Sequence, residues 1–238
     1  MSSKKGSRLL AYLGVPAVFC AMGYLVIFLA LQPVWGTLTA YAGFFISDKA
    51  PDFNHELANI YDPNAEKPEP KSDPKAENPK EKWVDGNSIE FPLSGEQYGQ
   101  ITCDQIGLDA PVYWYDSDDI LAVGVGQSLI SLLPGFGRSI ILAGHNTTFF
   151  NCLNEAQPGN VIKFGTNYGD YEYTVTAVEV YAEEELESFL LSTVDREQEE
   201  LIMYTCYPFY PVPGRKTERL VVFADRTAGP NVTWREQA

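Results

Sequence analysis

The sequence predicts an all-β domain, built as a sandwich or a barrel, that follows an N-terminal membrane anchor and a solvated linker. Three observations lead to this prediction. Residues 9–31 form an uncharged apolar run, residues 62–86 are rich in proline and charge, and residues 87–238 alternate short apolar runs with Gly, Pro, Asn and Asp. Many short strands separated by turn residues are typical of β-sandwiches and β-barrels.

The apolar run at residues 9–31 predicts a transmembrane helix. Its 23 residues would extend roughly 34 Å as an α-helix, enough for a hydrocarbon core of about 30 Å. Lys4, Lys5 and Arg8 precede the run, so the positive-inside rule keeps residues 1–8 in the cytoplasm and places the later residues outside the cell. The alternative is a cleaved signal peptide, which the length of the run and the lack of a small-residue cleavage site disfavour.

Two segments separate the anchor from the folded domain. Residues 32–61 begin with aromatic side chains that suit the headgroup level, and we expect them to be membrane-proximal. Residues 62–86 include DPNAEKPEPKSDPKAENPKEK, in which proline recurs and no large apolar residue occurs. Such a stretch cannot bury a core and predicts a disordered linker. The folded domain then comprises residues 87–238.

Seven runs in this domain predict strands, because they are rich in β-branched and aromatic residues or alternate apolar with polar ones. Two stretches, Ile120–Leu133 and Glu183–Leu191, predict helices. The strand candidates, in chain order, are QITCDQI, APVYWY, SIILAGH, NVIKFG, YEYTVTAVEVY, ELIMYTC and RLVVFAD.

Charge and cysteine content narrow the functional classes. The formal net charge is −15, which disfavours nucleic-acid binding because acidic proteins repel phosphate backbones. Cys20 falls in the apolar run, so Cys103, Cys152 and Cys206 leave at least one thiol unpaired outside the cell. Cys103 and Cys152 fit either a disulfide or two buried thiols. The irregular spacing of cysteine and histidine disfavours a zinc site.

Three reactive side chains stand at the ends of predicted strands. His145 ends SIILAGH, Cys206 ends LIMYTC, and Arg219 begins RLVVFA. If the strands at 201–206 and 219–224 pair antiparallel, Cys206 and Arg219 meet at one rim of the sheet. His145 reaches the same rim if its strand runs parallel to residues 201–206.

These residue types suit nucleophilic catalysis. An imidazole can accept the proton of a thiol and later protonate a leaving amine. A guanidinium never deprotonates at working pH, but it can stabilise negative charge on a carbonyl oxygen. Cys206 is therefore the candidate nucleophile, His145 the acid/base and Arg219 the oxyanion-side cation. Taken singly, each residue also fits an ordinary structural role, such as a small buried cysteine.

The sequence around these residues resembles that of the sortases, which are transpeptidases that attach proteins to the Gram-positive cell wall. The histidine block reads LAGHNTTFF, the nucleophile block IMYTCYPF and the arginine strand ERLVVFA. Upstream, IGLDAPVY and GVGQSLISLLPGFGRS resemble the family's opening strand and its helix-to-loop segment. The similarity runs from about Tyr98 to Arg226, and TCYPF resembles the class D members. Gln127 and Asn160 depart from residues that are common in the family.

The resemblance implies an eight-stranded β-barrel and cleavage of a sorting signal like L-P-x-T-G on secreted proteins. Cys206 would form an acyl-enzyme thioester, and an amine of a peptidoglycan precursor or a pilin would resolve it. Thr205 would help to seat the substrate. No cofactor is expected: some class A sortases bind calcium, but Glu183, Glu184 and Glu185 are interpreted as a solvated acidic face. Wall anchoring and pilus assembly remain equally compatible with the sequence.

Two alternatives come from other classes. L,D-transpeptidases of the wall also use Cys and His, but they carry a Ser-x-Gly-Cys block, whereas MYT precedes Cys206 here. A non-catalytic, membrane-anchored β-domain that binds a wall or surface partner would tolerate Cys206→Ala.

Overall fold

The computed structural model describes residues 22–24, 58–72 and 82–234. The chain divides into two units, Met1–Glu56 and Leu57–Ala238. In the first unit residues 22–24 are helical, and the rest of the predicted tail (1–8) and anchor (9–31) lies outside the described residues. None of the helices within the described ranges has the length and apolar character needed to cross a membrane.

Eight strands of the second unit close into a barrel, as predicted. The strands are β3 (Gln97–Cys103), β4 (Leu108–Trp114), β5 (Val125–Gln127), β6 (Ile140–Ala143), β7 (Val161–Thr166), β8 (Asp170–Ala182), β9 (Glu200–Tyr207) and β10 (Glu218–Ala228). Around the barrel the order is β10, β8, β7, β3, β4, β5, β6 and β9. Neighbours pair antiparallel except β4 with β5 and β6 with β9, which pair parallel.

Alternation along the strands creates two apolar layers. On β9, Leu201 and Met203 face the barrel interior, while Ile202 faces outwards. The interior is filled by fully buried side chains such as Phe164 and Tyr171. The outer layer lies under a helix and joins Ile202 to residues of β6 and β10. Fully burying one large apolar side chain contributes about 1.5–3 kcal/mol, so both layers stabilise the domain.

The described residues of the barrel domain include two α-helices, α1 (Asp118–Leu121) and α2 (Glu183–Thr193). Helix α2 confirms the prediction at Glu183–Leu191, and its Leu186 and Leu190 pack on the outer layer. The predicted helix at Ile120–Leu133 is wrong beyond its first turn.

The reason for the short α1 is the strand that follows it. Gly124 and Gly126 disfavour a helix, and β5 instead pairs with both β4 and β6. Gly126 is required by close approach: a Cβ there would lie 2.6 Å from the Cα of Asp116. Tyr115, the residue before Asp116, has a φ of 86°, a backbone conformation that bulky residues rarely adopt.

A small second sheet lies beside the barrel strands in the same unit. It contains β1 (Lys71–Ser72), β2 (Lys82–Asp85) and β11 (Asn231–Thr233), with β2 in the middle. Two stretches of the predicted 62–86 linker, Lys71–Ser72 and Lys82–Asp85, are thus paired in strands. The stretch at β2 carries Val84, which is 1% exposed. Upstream, Asn59 bridges Gln97 of β3, so the folded domain begins before residue 87.

Candidate active site

Cys206 and Arg219 lie side by side on the outer face of the barrel. Arg219 is the Cα partner of Cys206 in the antiparallel β9–β10 pair, so the two side chains project from the same face. The next two residues of β10 show which face this is. Leu220 packs into the barrel interior, and Val221 packs in the outer layer under α2.

The parallel pairing of β6 with β9 brings His145 to the same place. Ala143, the last residue of β6, is the Cα partner of Tyr204. The chain continues in register, because the N–H of Gly144 donates to the carbonyl of Tyr204 at 3.3 Å. His145 therefore lies at the height of Cys206 along the next strand. The antiparallel and parallel pairings expected from the sequence are both present.

The three side chains line one cavity of about 540 Å³. Leu186 and Leu190 of α2 also line it, so it lies between the helix and the barrel wall. Two cavities of similar size, about 600 and 590 Å³, lie elsewhere and contain neither His145 nor Cys206. The chemistry of the lining, rather than the volume, identifies the candidate site.

Two hydrogen-bonding side chains join the histidine segment to the cysteine strand. The hydroxyl of Thr205, which is 2% exposed, donates to the carbonyl of Gly144 at 2.7 Å. The Nδ2 of Asn146 donates to the carbonyl of Cys206 at 2.6 Å and to that of Pro208 at 3.2 Å. These bonds hold the backbone of the histidine segment against the backbone of the cysteine strand. The predicted contact of Thr205 with substrate stays a prediction.

The guanidinium of Arg219 is held by three acceptors. Its Nη1 donates to the carbonyls of Lys216 and Glu218 at 3.0 and 2.9 Å, and its Nη2 donates to Oε1 of Glu183 at 2.7 Å. The Arg219 side chain is 12% exposed. Arg215 also pairs with Glu183 Oε1, at 2.5 Å, but its side chain is 76% exposed. Arg219 is therefore the arginine whose side chain is mostly shielded from solvent and lies beside the thiol.

The cavity wall shifts the pKa of two further groups. Burial raises the pKa of Tyr204 to about 12, and the negative charge of Asp116 and the Cys206 sulfur add to the rise, whereas Arg219 opposes it. Tyr204 is thus a neutral hydroxyl at physiological pH. Burial likewise raises the pKa of the Asp116 carboxyl, and a hydrogen bond within the same residue partly opposes that rise.

The arrangement supplies each component of acyl transfer at a thiol. Cys206 offers the sulfur nucleophile, His145 a proton acceptor and donor, and Arg219 a fixed cation for a developing oxyanion. Within the described ranges, no three His, Cys, Asp or Glu side chains cluster as a metal site would require. Cys103 and Cys152 are free thiols in the structure, as is Cys206.

A comparison with known families matches residues 101–227 to the model of the Sortase domain. The match covers more than half of the 238-residue chain. The chain belongs to the sortase family. The resemblance predicted from the sequence is therefore confirmed, and sortases are a family of cysteine transpeptidases.

Individual relatives of this sortase agree with the assignment. It is 28% identical to Sortase D of Bacillus subtilis (strain 168) over 135 residues, which are 57% of this chain and 66% of that protein, just under two thirds. It is 27% identical to Clostridium perfringens sortase C, solved with the C-terminal cell wall sorting motif, with a TM-score of 0.50 over 57% of this chain and 73% of that one. A Clostridium perfringens Sortase D5 transpeptidase, at 18% identity, shares the fold with a TM-score of 0.52 over 60% of this chain and 86% of that one.

Two residues of this sortase's site were missed by the sequence reasoning. Asn146 directly follows His145. Its position next to the histidine was the only feature of the sequence that could have indicated a role in the site. The prediction of a solvated acidic face is wrong at Glu183, because two arginines bind its carboxylate. Its neighbours Glu184 and Glu185 are exposed, as expected.

Proposed function

We propose that this sortase is a membrane-anchored cysteine transpeptidase that cleaves a sorting signal on secreted proteins and transfers them to an amine. The observation that supports this most is the cavity shared by Cys206, His145 and Arg219. Family membership supports the same reaction class.

The first half-reaction forms a thioester. His145 accepts the proton of the Cys206 thiol, and the sulfur attacks the carbonyl carbon of the scissile peptide bond. Arg219 stabilises the negative charge that develops on the carbonyl oxygen. The tetrahedral intermediate then breaks its C–N bond, and the imidazolium gives its proton to the departing amine. The acyl group remains on Cys206.

The second half-reaction transfers the acyl group. The nitrogen of an incoming neutral amine attacks the thioester carbon, while His145 takes the proton that the nitrogen loses. The C–S bond breaks with its electron pair on sulfur, and Cys206 recovers a proton from the imidazolium. The products are a new amide and the free thiol.

The proposed donor substrate is a secreted protein with an L-P-x-T-G-like motif, cut between Thr and Gly. Support comes from the Clostridium perfringens sortase C structure, which contains a C-terminal cell wall sorting motif. The proposed acceptor is an amine of a peptidoglycan precursor or of a pilin. We place the protein in the cell membrane by one N-terminal helix at residues 9–31, with the N-terminus inside and the barrel domain outside.

A peptide library with varied sorting motifs tests the proposal on the full-length chain. Hydroxylamine serves as acceptor, so each cleaved peptide is released as a hydroxamate that mass spectrometry identifies. We expect hydroxamates from motif-containing peptides with the unaltered protein and none with Cys206→Ala or His145→Ala. Equal product from Cys206→Ala would contradict the proposal and favour a non-catalytic β-domain or another nucleophile.

The arginine assignment has its own test. Loss of a preorganised stabiliser of an oxyanion costs roughly 3–4 kcal/mol, so Arg219→Ala should lower kcat by orders of magnitude. Arg215→Ala is the comparison variant. Arg215 bonds the same carboxylate from an exposed position, so its loss should lower kcat far less than the loss of Arg219. Near-normal turnover of Arg219→Ala together with an inactive Arg215→Ala would move the role to Arg215.

A further inference from the structure

Glu183 lies beside Arg219 in the cavity that contains Cys206 and His145. It is the first residue of α2, the helix that forms one wall of the cavity, and it lines that cavity itself. Its backbone N–H donates to the carbonyl of Thr217 at 2.8 Å. Leu186 and Leu190, one and two turns further along α2, are anchored in the outer layer. The carboxylate is therefore carried by a backbone that is fixed on two sides.

From this fixed point Glu183 restrains the guanidinium of Arg219. A free arginine side chain samples many rotamers, and that freedom would have to be lost each time the cation engaged an oxyanion. In the structure three N–H groups of Arg219 already donate to Lys216, Glu218 and Glu183. Within the part of the chain that is described, no acceptor is present for Nε–H or for the second N–H of Nη2. Those two donors remain for a ligand.

A carboxylate on the guanidinium also has an electrostatic cost, which Arg215 offsets. Glu183 alone would neutralise the charge of Arg219 and weaken its attraction for an oxyanion. Arg215 donates to the same oxygen atom, Oε1 of Glu183. The group of two arginines and one carboxylate keeps a net charge of +1. The position of Arg219 is thus fixed without loss of the cationic character that the reaction needs.

We propose that Glu183 is a positioning residue for Arg219, which presets the guanidinium for oxyanion stabilisation during thioester formation. The proposal rests on the transpeptidase function proposed above. It also links the groove to the chemistry, because the carboxylate that orients Arg219 is carried by the helix that lines the substrate cavity.

Single-turnover thioester formation on the full-length chain tests this role. Misplacing a catalytic group by about 1 Å can cost on the order of a hundredfold in rate, so Glu183→Ala should slow acylation by roughly ten- to a hundredfold, mainly in kcat rather than KM. Glu183→Gln keeps an oxygen acceptor at Oε1 and should recover most of the rate. Glu184→Ala, at an exposed neighbour in the same helical turn, should leave the rate unchanged.

A double-mutant cycle separates positioning from a general structural role. If Glu183 acts through Arg219, Glu183→Ala should have almost no effect in the Arg219→Ala background, because coupled residues are non-additive. If Glu183 only supports α2 or the groove, it should slow acylation by the same factor in both backgrounds, and the proposal is overturned. Acylation by Glu183→Ala at the unaltered rate also overturns it. A fully active parent chain with a slow Arg219→Ala variant keeps the proposed function intact in either case.

Discussion

Replacing Asn146 with alanine should reduce both stability and catalysis, because one amide group joins the histidine segment to the end of β9. Asn146 is 6% exposed, and its Nδ2 donates to the carbonyls of Cys206 and Pro208. Alanine removes both bonds and leaves those carbonyls without this donor. Leaving a buried polar group unsatisfied costs about 1–3 kcal/mol, so we expect the free energy of unfolding to fall by that amount.

The same substitution loosens the geometry of the thiol. The carbonyl that loses its donor belongs to Cys206 itself, next to the segment that carries His145. We expect kcat for thioester formation to fall by roughly tenfold or more, with little change in KM. Asn146→Asp should be worse than alanine at neutral pH, because an ionised carboxylate would place acceptor oxygens against two carbonyls.

Chemical denaturation and single-turnover acylation measure the two effects. Asn151→Ala is the control, since Asn151 is an exposed asparagine in the same connection. The reasoning is refuted if Asn146→Ala changes stability and kcat no more than Asn151→Ala does. It is also refuted if Asn146→Asp is as stable and active as the parent chain.

Three further outcomes follow from the structure. Iodoacetamide should label Cys206 faster than Cys152 or Cys103, because Cys206 lines a cavity, burial raises the pKa of Cys152 and Cys103 is 1% exposed. Peptide mass mapping that finds Cys152 labelled first would contradict this. Burial raises the folded-state pKa of Asp116, so its ionised form destabilises the folded state. Asp116→Asn should therefore increase the free energy of unfolding at neutral pH, and this gain should shrink as the pH falls through the raised pKa; a gain that grows in acid has the wrong sign. Glu199→Gln should destabilise the fold by about 3 kcal/mol, because the buried carboxylate accepts four hydrogen bonds, from Gly135, Gly137, Tyr173 and Arg226. Chemical denaturation should show no such loss for Glu197→Gln, since Glu197 is exposed.

The strands that carry the site could be predicted because their signals are local. The runs at β9 and β10 alternate between two apolar layers, and their short connection favours antiparallel pairing. That pairing alone places Cys206 beside Arg219. The parallel pairing of β6 with β9 depends on residues some 60 positions apart, and the sequence offered it only as a condition for bringing His145 to the rim.

The helix predicted at Ile120–Leu133 failed because tertiary pairing overrode a local pattern. The length of the stretch favours a helix, but the short piece that forms β5 is decided by pairing with its neighbours β4 and β6. The prediction for residues 62–86 has the same limit, because it too rests on local composition. Its composition predicts a solvated chain, yet β2 finds backbone partners in β1 and β11, which no local signal reveals.

The residues that support the site could not be predicted from the sequence, for a similar reason. Asn146 bonds a carbonyl 60 residues away, and Glu183 bonds a guanidinium 36 residues away. Isolated Asn and Glu side chains in polar surroundings are usually solvated, so their type carries no signal. Cys206, His145 and Arg219 are recognisable because the motifs around them are specific. Asn146 stands inside the histidine motif, but the motif does not reveal what its amide bonds, and Glu183 lies outside all three motifs.

The most direct test is the structure of a covalent adduct. A sorting-motif peptide that ends in a threonine aldehyde should add to the sulfur of Cys206 as a thiohemiacetal, whose oxygen stands in for the oxyanion. We predict that this oxygen lies within about 3 Å of a guanidinium N–H of Arg219 and that His145 contacts the sulfur or the adduct. An oxygen bound by other donors, with Arg219 and His145 both remote from it, would contradict the shared role of these three side chains.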